Sequence, residues 1–161
     1  MARAQIYRDL KRDHDKQREM LKKLGELKGA TNERKQLFES FRLELQSHAA
    51  AEEESLYATM LGNPALRDDA RHSVSEHKEV DDLLGEMMDL DMASDEWSET
   101  FFHMRGRYEH HIAEEEDEMF PAASKELDAG TEKKLAEVYE ERKPLELAEA
   151  RDNPPGSDQR E

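Results

Sequence analysis

Four histidines in this chain each interrupt the apolar stripe of a different amphipathic segment, and that repetition constrains the fold more than any other feature. The first segment places Ile6, Leu10, Leu21, Leu24 and Leu27 at the period of a helix, and His14 and Gln17 fill the gap in the stripe. The second runs Leu37 and Phe38, Phe41, Leu45, then His48 and Glu52, then Leu56 and Met60. The third carries Val74, His77, Val80, Leu84, Met87 and Met88 and ends near Asp91. The fourth carries Trp97, Phe101, Met104, Tyr108, His111, Glu115 and Met119. Gly29 with Thr31, Gly62 with Asn63 and Pro64, and Ser94 with Asp95 supply the stops and starts between them. Pro121 is expected to stop the fourth helix.

Height along the helices sharpens the pattern. His14 lies roughly 14 residues before the first helix ends, and His48 roughly 16 after the second begins, so a short turn brings the two to one level. Glu52 and His77 flank the second turn at roughly 9 and 7 residues, and His77 and His111 flank the third at roughly 14 and 16. The expected fold is therefore all-α, an antiparallel up-down-up-down four-helix bundle over residues 1–125, with these polar residues in one layer. A weaker helical extension is expected over residues 126–150, with Leu135, Val138, Tyr139, Leu145 and Leu147 packing across the bundle or in an oligomer contact. Pro144 should break or kink it, and no chemistry is expected of it. Residues 151–161 read as a disordered tail.

Composition narrows the function. A chain of 161 residues fits one domain, with 35% hydrophobic and 40% charged residues. A formal net charge of -16 repels phosphate backbones, so nucleic acid is not an expected partner. Without cysteine there is no disulfide framework, zinc ribbon, iron-sulfur cluster or thiol nucleophile, so any metal must be held by His, Asp and Glu. No segment reaches the roughly 18 apolar residues of a membrane span, and the N-terminus lacks the apolar run of a signal peptide. No membrane association and a cytoplasmic location are the expectations.

His48 with Glu52, and His111 with Glu115, stand four residues apart, so each pair projects from one side of its helix. Together with His14 and His77 they make six buried ionisable groups, each costing several kcal/mol in desolvation unless a cation compensates. Six ligands exceed the four of a tetrahedral zinc site and suit two ions bridged by the two glutamates. Imidazole and carboxylate without thiolate favour iron or manganese. The ions would keep open positions for O2 or peroxide. His72, His103 and His110 fall off the stripes and are expected at the surface. Glu53, Glu54, Glu114 and Glu116 read as a solvated acidic face. Tyr7, Tyr57 and Tyr108 lie one or two turns from the candidate ligands, with core packing their expected role and hydrogen bonding to a bound oxygen species or a radical relay the alternative, and Met87, Met88, Met104 and Met119 read as core filling. Residues 48–57 (HAAAEEESLY) and 111–120 (HIAEEEDEMF) form a weak internal repeat.

The ordered set His14, H-A-A-A-E from His48 to Glu52, E-H at Glu76 and His77, and H-I-A-E-E from His111 to Glu115 resembles the hemerythrin-like, or HHE cation-binding, domain over about residues 3 to 122. That resemblance implies a four-helix bundle and a non-heme, oxygen-bridged centre of two iron ions. Its ligands would be His14, His48, Glu52, His77, His111 and Glu115. The sequence departs from the invertebrate oxygen carriers at Ser73, where they have a further histidine, and at Glu115 with Glu116, where their motif ends in an aspartate one residue later. A site short of one imidazole should be more open than a reversible carrier. By resemblance, the small ligands are O2, peroxide or nitric oxide. The implied roles are oxygen or redox sensing and the handling of iron or oxidative stress. A catalase- or peroxidase-like di-iron enzyme and an iron-responsive partner-binding module are the alternatives. A ferritin-like oxidase fits less well, because that class presents Glu-x-x-His where this chain has His-x-x-x-Glu.

Overall fold

The computed structural model describes residues 3–156, and within them every regular element is helical. Helix α1 (Gln5–Glu26) and helix α2 (Asn32–Glu52) form the first hairpin. The second rod continues without interruption through a π-helical turn (Glu53–Tyr57) into α3 (Ala58–Leu61). Helices α4 (Arg67–Asp89) and α5 (Asp95–Glu114) form the second hairpin. The fourth rod passes through another π turn (Glu115–Met119) into α6 (Phe120–Glu126), and α7 (Ala129–Asp152) returns along α1 and α2.

Local chemistry sets the helix starts. The hydroxyls of Thr31 and Ser94 accept from Arg34 N at 3.2 Å and Trp97 N at 3.1 Å, and the Asp128 carboxylate accepts from Thr131 N at 2.7 Å. Each satisfies one amide that a helix N-terminus leaves free, worth typically ~1 kcal/mol.

The apolar stripes do not make one continuous core. Ile6, Leu10, Leu56, Met60, Phe120 and Leu135 belong to a cluster on one side of the histidines. Leu21, Leu24, Phe41, Leu84, Trp97 and Phe101 belong to a second cluster on the other. Trp97 stacks on Phe101 with centroids 5.5 Å apart, and the Arg34 guanidinium lies 4.4 Å over its ring. Burying such a side chain stabilises by roughly 1.5–3 kcal/mol, so the two clusters clamp the polar layer between them.

Several local expectations are corrected. Pro121 does not stop the fourth rod, because it falls in the first turn of α6, where a missing N–H costs least. Pro144 does not break α7. Contacts on both sides hold that helix: Arg142 pairs with Glu54 and Glu146, Lys143 with Asp13 and Glu44, and Arg42 Nη1 donates to Ala150 O at 2.7 Å. These contacts anchor the helix around a proline that has no amide to donate. Met88 is exposed at 42%, while its neighbour Met87 takes the core position.

The segment read as a tail from residue 151 is helical through Asp152 and then packs on α2 and α4. Gln46 Nε2 donates to Asn153 O at 2.9 Å, Pro155 is buried, and Gly156 N donates to Asp81 Oδ2 at 2.8 Å. Gly85 permits this approach: a Cβ there would stand 3.0 Å from Pro155 O. Residues 157–161 of that expected tail lie outside the described residues.

Candidate metal centre

The layer between the two apolar clusters brings all six sequence-predicted residues together. His14, His48, Glu52 and Glu115 offer donor atoms within 4.8 Å of one another, and so do Glu52, His77, His111 and Glu115. Both carboxylates belong to both groups. His14 Nε2 lies 3.2 Å from Glu115 Oε1, and His111 Nε2 lies 3.3 Å from Glu115 Oε2. His77 Nε2 and His48 Nε2 lie 3.4 and 3.7 Å from Glu52 Oε1.

Burial makes the donor set demanding. His14, Glu52 and Glu115 are 0% exposed, His48 and His111 1%, and His77 9%. All four Nε2 atoms, both oxygens of Glu52 and Oε1 of Glu115 are buried without a hydrogen-bond partner. Buried polar atoms without partners are rare in folded proteins, and here they converge from four helices on one point. A donor set of imidazole nitrogens and carboxylate oxygens without thiolate fits a divalent transition-metal cation.

The other ring nitrogens face outward onto acceptors. His14 Nδ1 lies 2.7 Å from Glu116 Oε2, which Arg18 Nη2 also holds at 2.9 Å. His111 Nδ1 lies 2.9 Å from Glu76 Oε1, and His77 Nδ1 lies 3.4 Å from Glu53 Oε2. His48 Nδ1 lies 2.7 Å from the Tyr139 hydroxyl and 3.2 Å from Asp13 Oδ2, while that hydroxyl donates to the same carboxylate. With its proton on Nδ1, each ring would direct the Nε2 lone pair inward, the tautomer a cation requires; at His77 this takes the loss of one proton. The Tyr57 hydroxyl donates to Glu115 Oε2.

These outer partners differ from the sequence reading. Glu53 and Glu116 are not simply a solvated face, because the histidines hold them. Tyr57 stands nine residues beyond His48, about 180° around a regular helix, so α-helical spacing faces it away from the centre. The π turn absorbs one residue and swings it inward, and such turns recur at functional sites. Tyr139, from the extension to which no chemistry was assigned, reaches the centre across α1 and α2. Asp13 was missed as well; its position directly before His14 was the available signal. Ser73 donates its hydroxyl to Met119 Sδ at 2.8 Å, so the place of a further imidazole is filled by a serine and a thioether. His72 and His110 are half or more exposed and pair with Glu114, and His103 is exposed.

Charge explains why this layer is poised for a cation. Burial resists ionisation of Glu52, but His77 and His48 hold its carboxyl down at about 2. Burial and the neighbouring Glu52 charge push Glu115 well up, because two adjacent carboxylates cannot both ionise in a dry site. Burial also lowers His14 to about 4, whereas at His77 the carboxylates of Glu52 and Glu53 outweigh burial and raise it to about 9. Cations between the carboxylates would relieve the repulsion and displace the protons.

A model of the Hemerythrin HHE cation binding domain matches residues 5–123. A crystal structure described as a hemerythrin HHE cation binding domain-containing protein, the Rv2633c homolog from Mycobacterium kansasii, superposes with a TM-score of 0.79 at 24% identity. The match covers 93% of this chain and 90% of that one, and so includes α7. A comparison with curated proteins returned no significant match. The motif order, the helical bundle and the sequence match agree, and the chain belongs to the hemerythrin HHE cation-binding domain family.

Proposed function

We propose that this protein holds two iron ions and binds or responds to O2 or a related small oxidant. His14 and His48 would hold one ion, His77 and His111 the other, and Glu52 and Glu115 would bridge them. The observation that carries this reading is the sharing of Glu52 and Glu115 by two four-donor groups whose buried atoms lack other partners. A single ion would leave one pair of imidazoles unsatisfied. Two ions use every inward-facing nitrogen.

Iron bound there would supply redox change and coordination positions that the protein donors do not fill. The chain's own residues would do the rest. Glu116, Asp13 with Tyr139, Glu53 and Glu76 fix the histidine tautomers, and such outer partners typically contribute 10–100-fold in metal affinity. The two apolar clusters exclude bulk water on either side, which strengthens every electrostatic contact inside. The hydrogen bond from Tyr57 to Glu115 fixes that carboxylate's orientation and offers a proton at its Oε2 edge. An enclosed redox centre would suit a sensing or protective role toward oxidants.

Elemental analysis of protein from iron-replete cells, with optical spectra before and after reduction and exposure to O2, tests the reading. Two irons per chain and a spectrum that changes reversibly with reduction are expected. Well-folded protein without iron, or with iron that responds to neither reductant nor oxidant, would refute it.

A further inference from the structure

A separate donor cluster lies on the outer face of the second hairpin. His72 and Glu76 stand four residues apart on α4, and His110 and Glu114 four apart on α5, so each pair projects from one side of its helix. His72 Nε2 lies 3.2 Å from Glu76 Oε1 and 3.3 Å from Glu114 Oε1, and His110 Nε2 lies 3.2 Å from Glu114 Oε2. The donor atoms of His72, Glu76 and Glu114 all fall within 4.8 Å of one another.

These spacings repeat those of the inner layer, where Nε2 of His14 and His111 stand 3.2 and 3.3 Å from Glu115. Ligand atoms held at about 2.0–2.1 Å from a tetrahedral ion stand roughly 3.3 Å from each other. Charge points the same way. An ordinary ion pair sets one carboxylate against one imidazole, whereas His72 draws two carboxylates together, and a cation between them would relieve their repulsion.

The carboxylates are also preset. Glu76 Oε1 lies 2.9 Å from His111 Nδ1, and Glu114 is held by His110, so little ordering remains to be done when an ion arrives. Their side chains are only 13% and 22% exposed, whereas those of His72 and His110 are 52% and 70% exposed. The site therefore has a fixed carboxylate floor and an imidazole rim open to solution.

We propose that His72, Glu76 and Glu114 bind an exchangeable divalent transition-metal ion, with His110 positioning Glu114 and water completing the shell. An imidazole donor selects such an ion over calcium or magnesium, which take oxygen shells. A net charge of -16 draws cations to the chain. The site goes beyond the di-iron reading and stands whichever cations the inner layer holds.

Zinc is the probe, titrated by calorimetry into the full chain loaded with iron, and the iron released is measured after each run. One zinc per chain should bind with the iron retained. His72→Ala and Glu114→Gln should each weaken that binding roughly tenfold or more, since losing even an outer partner of a ligand costs that much. His103→Ala, which removes an exposed histidine outside the cluster, should leave it unchanged. Anomalous diffraction at the zinc edge from soaked crystals locates the ion whatever occupies the inner layer, with a peak expected beside His72, Glu76 and Glu114. Zinc that enters only by displacing iron, peaks confined to the inner layer, or equal affinity in His72→Ala, Glu114→Gln and the wild type would overturn the proposal.

Discussion

The hydroxyl of Tyr139 stands 2.7 Å from Nδ1 of His48, although 91 residues separate them in sequence. Through this contact α7, which lies beyond the matched residues 5–123, becomes part of the centre's support. The same hydroxyl donates to Asp13, so one phenol orients both the ring and the carboxylate behind it. In Tyr139→Phe, two irons should still bind, with affinity lowered roughly 10–100-fold as for other outer partners of metal ligands. Competition with a chelator measures this, and an unchanged affinity would make α7 a packing element only.

Lys143 closes the next link outward. Its ammonium lies 2.6 Å from Asp13 Oδ2 and 2.8 Å from Glu44 Oε1, and Gln17 donates to the other oxygen of Glu44 at 2.8 Å. Burial disfavours charge on Asp13, yet the hydrogen bonds from His48 and Lys143 hold its carboxyl well below the usual range. Lys143→Met would strand two nearly buried carboxylates. Since the lysine side chain keeps 21% of its surface exposed, the expected loss is roughly 1.5–3 kcal/mol in chemical denaturation, the scale of hydrogen bonds to charged groups. The double variant with Glu44→Gln should recover part of that loss, and strict additivity would show that the groups are not coupled.

Metal loading should expel protons. In the metal-free protein His77 stays protonated up to about 9, and Glu115 is held protonated by burial and by Glu52. Cations need both groups deprotonated, whereas His14 and His111 are already neutral at pH 7 because burial lowers them. Iron affinity should therefore rise with pH across neutrality, with about two protons released per filled centre. Anaerobic calorimetry in buffers of different protonation enthalpy counts them, and affinity independent of pH would contradict the charge assignment.

Stability of the metal-free protein should move the other way. A histidine raised from 6.5 to about 9 stabilises fully below 6.5, and the contribution fades as pH rises through 9. Glu115, also raised, acts in the same direction above its ordinary value of 4.5. The thermal midpoint of the metal-free form should fall between pH 6.5 and 9, while the iron-loaded form, with these protons already gone, stays nearly level. Matching pH profiles for the two forms would count against this.

Much of the buried polar layer was legible because its histidines break apolar stripes at matched heights. His14 between Leu10 and Leu21, and His48 between Leu45 and Leu56, needed only helical periodicity and short turns to be placed in one layer. What periodicity could not show were departures from it. Tyr57 is turned inward by a π turn, and nothing in residues 53–57 marks that turn by composition. Tyr139 and Lys143 lie on a helix whose register against α1 is set by tertiary contacts across 126 and 130 residues. Glu53 and Glu116 looked solvated because charged residues on helices usually are, and only the outward Nδ1 atoms of His77 and His14 give them a partner. Pro121 and Pro144 were read by local rules that packing overrides.

The sharing of Glu52 and Glu115 by two cations is the central claim, and anomalous diffraction at the iron edge from crystals of iron-loaded protein tests it directly. Two anomalous peaks are expected, one beside His14 and His48 and one beside His77 and His111, each within bonding distance of both carboxylates. A single peak, or two peaks that do not share the glutamates, would contradict it.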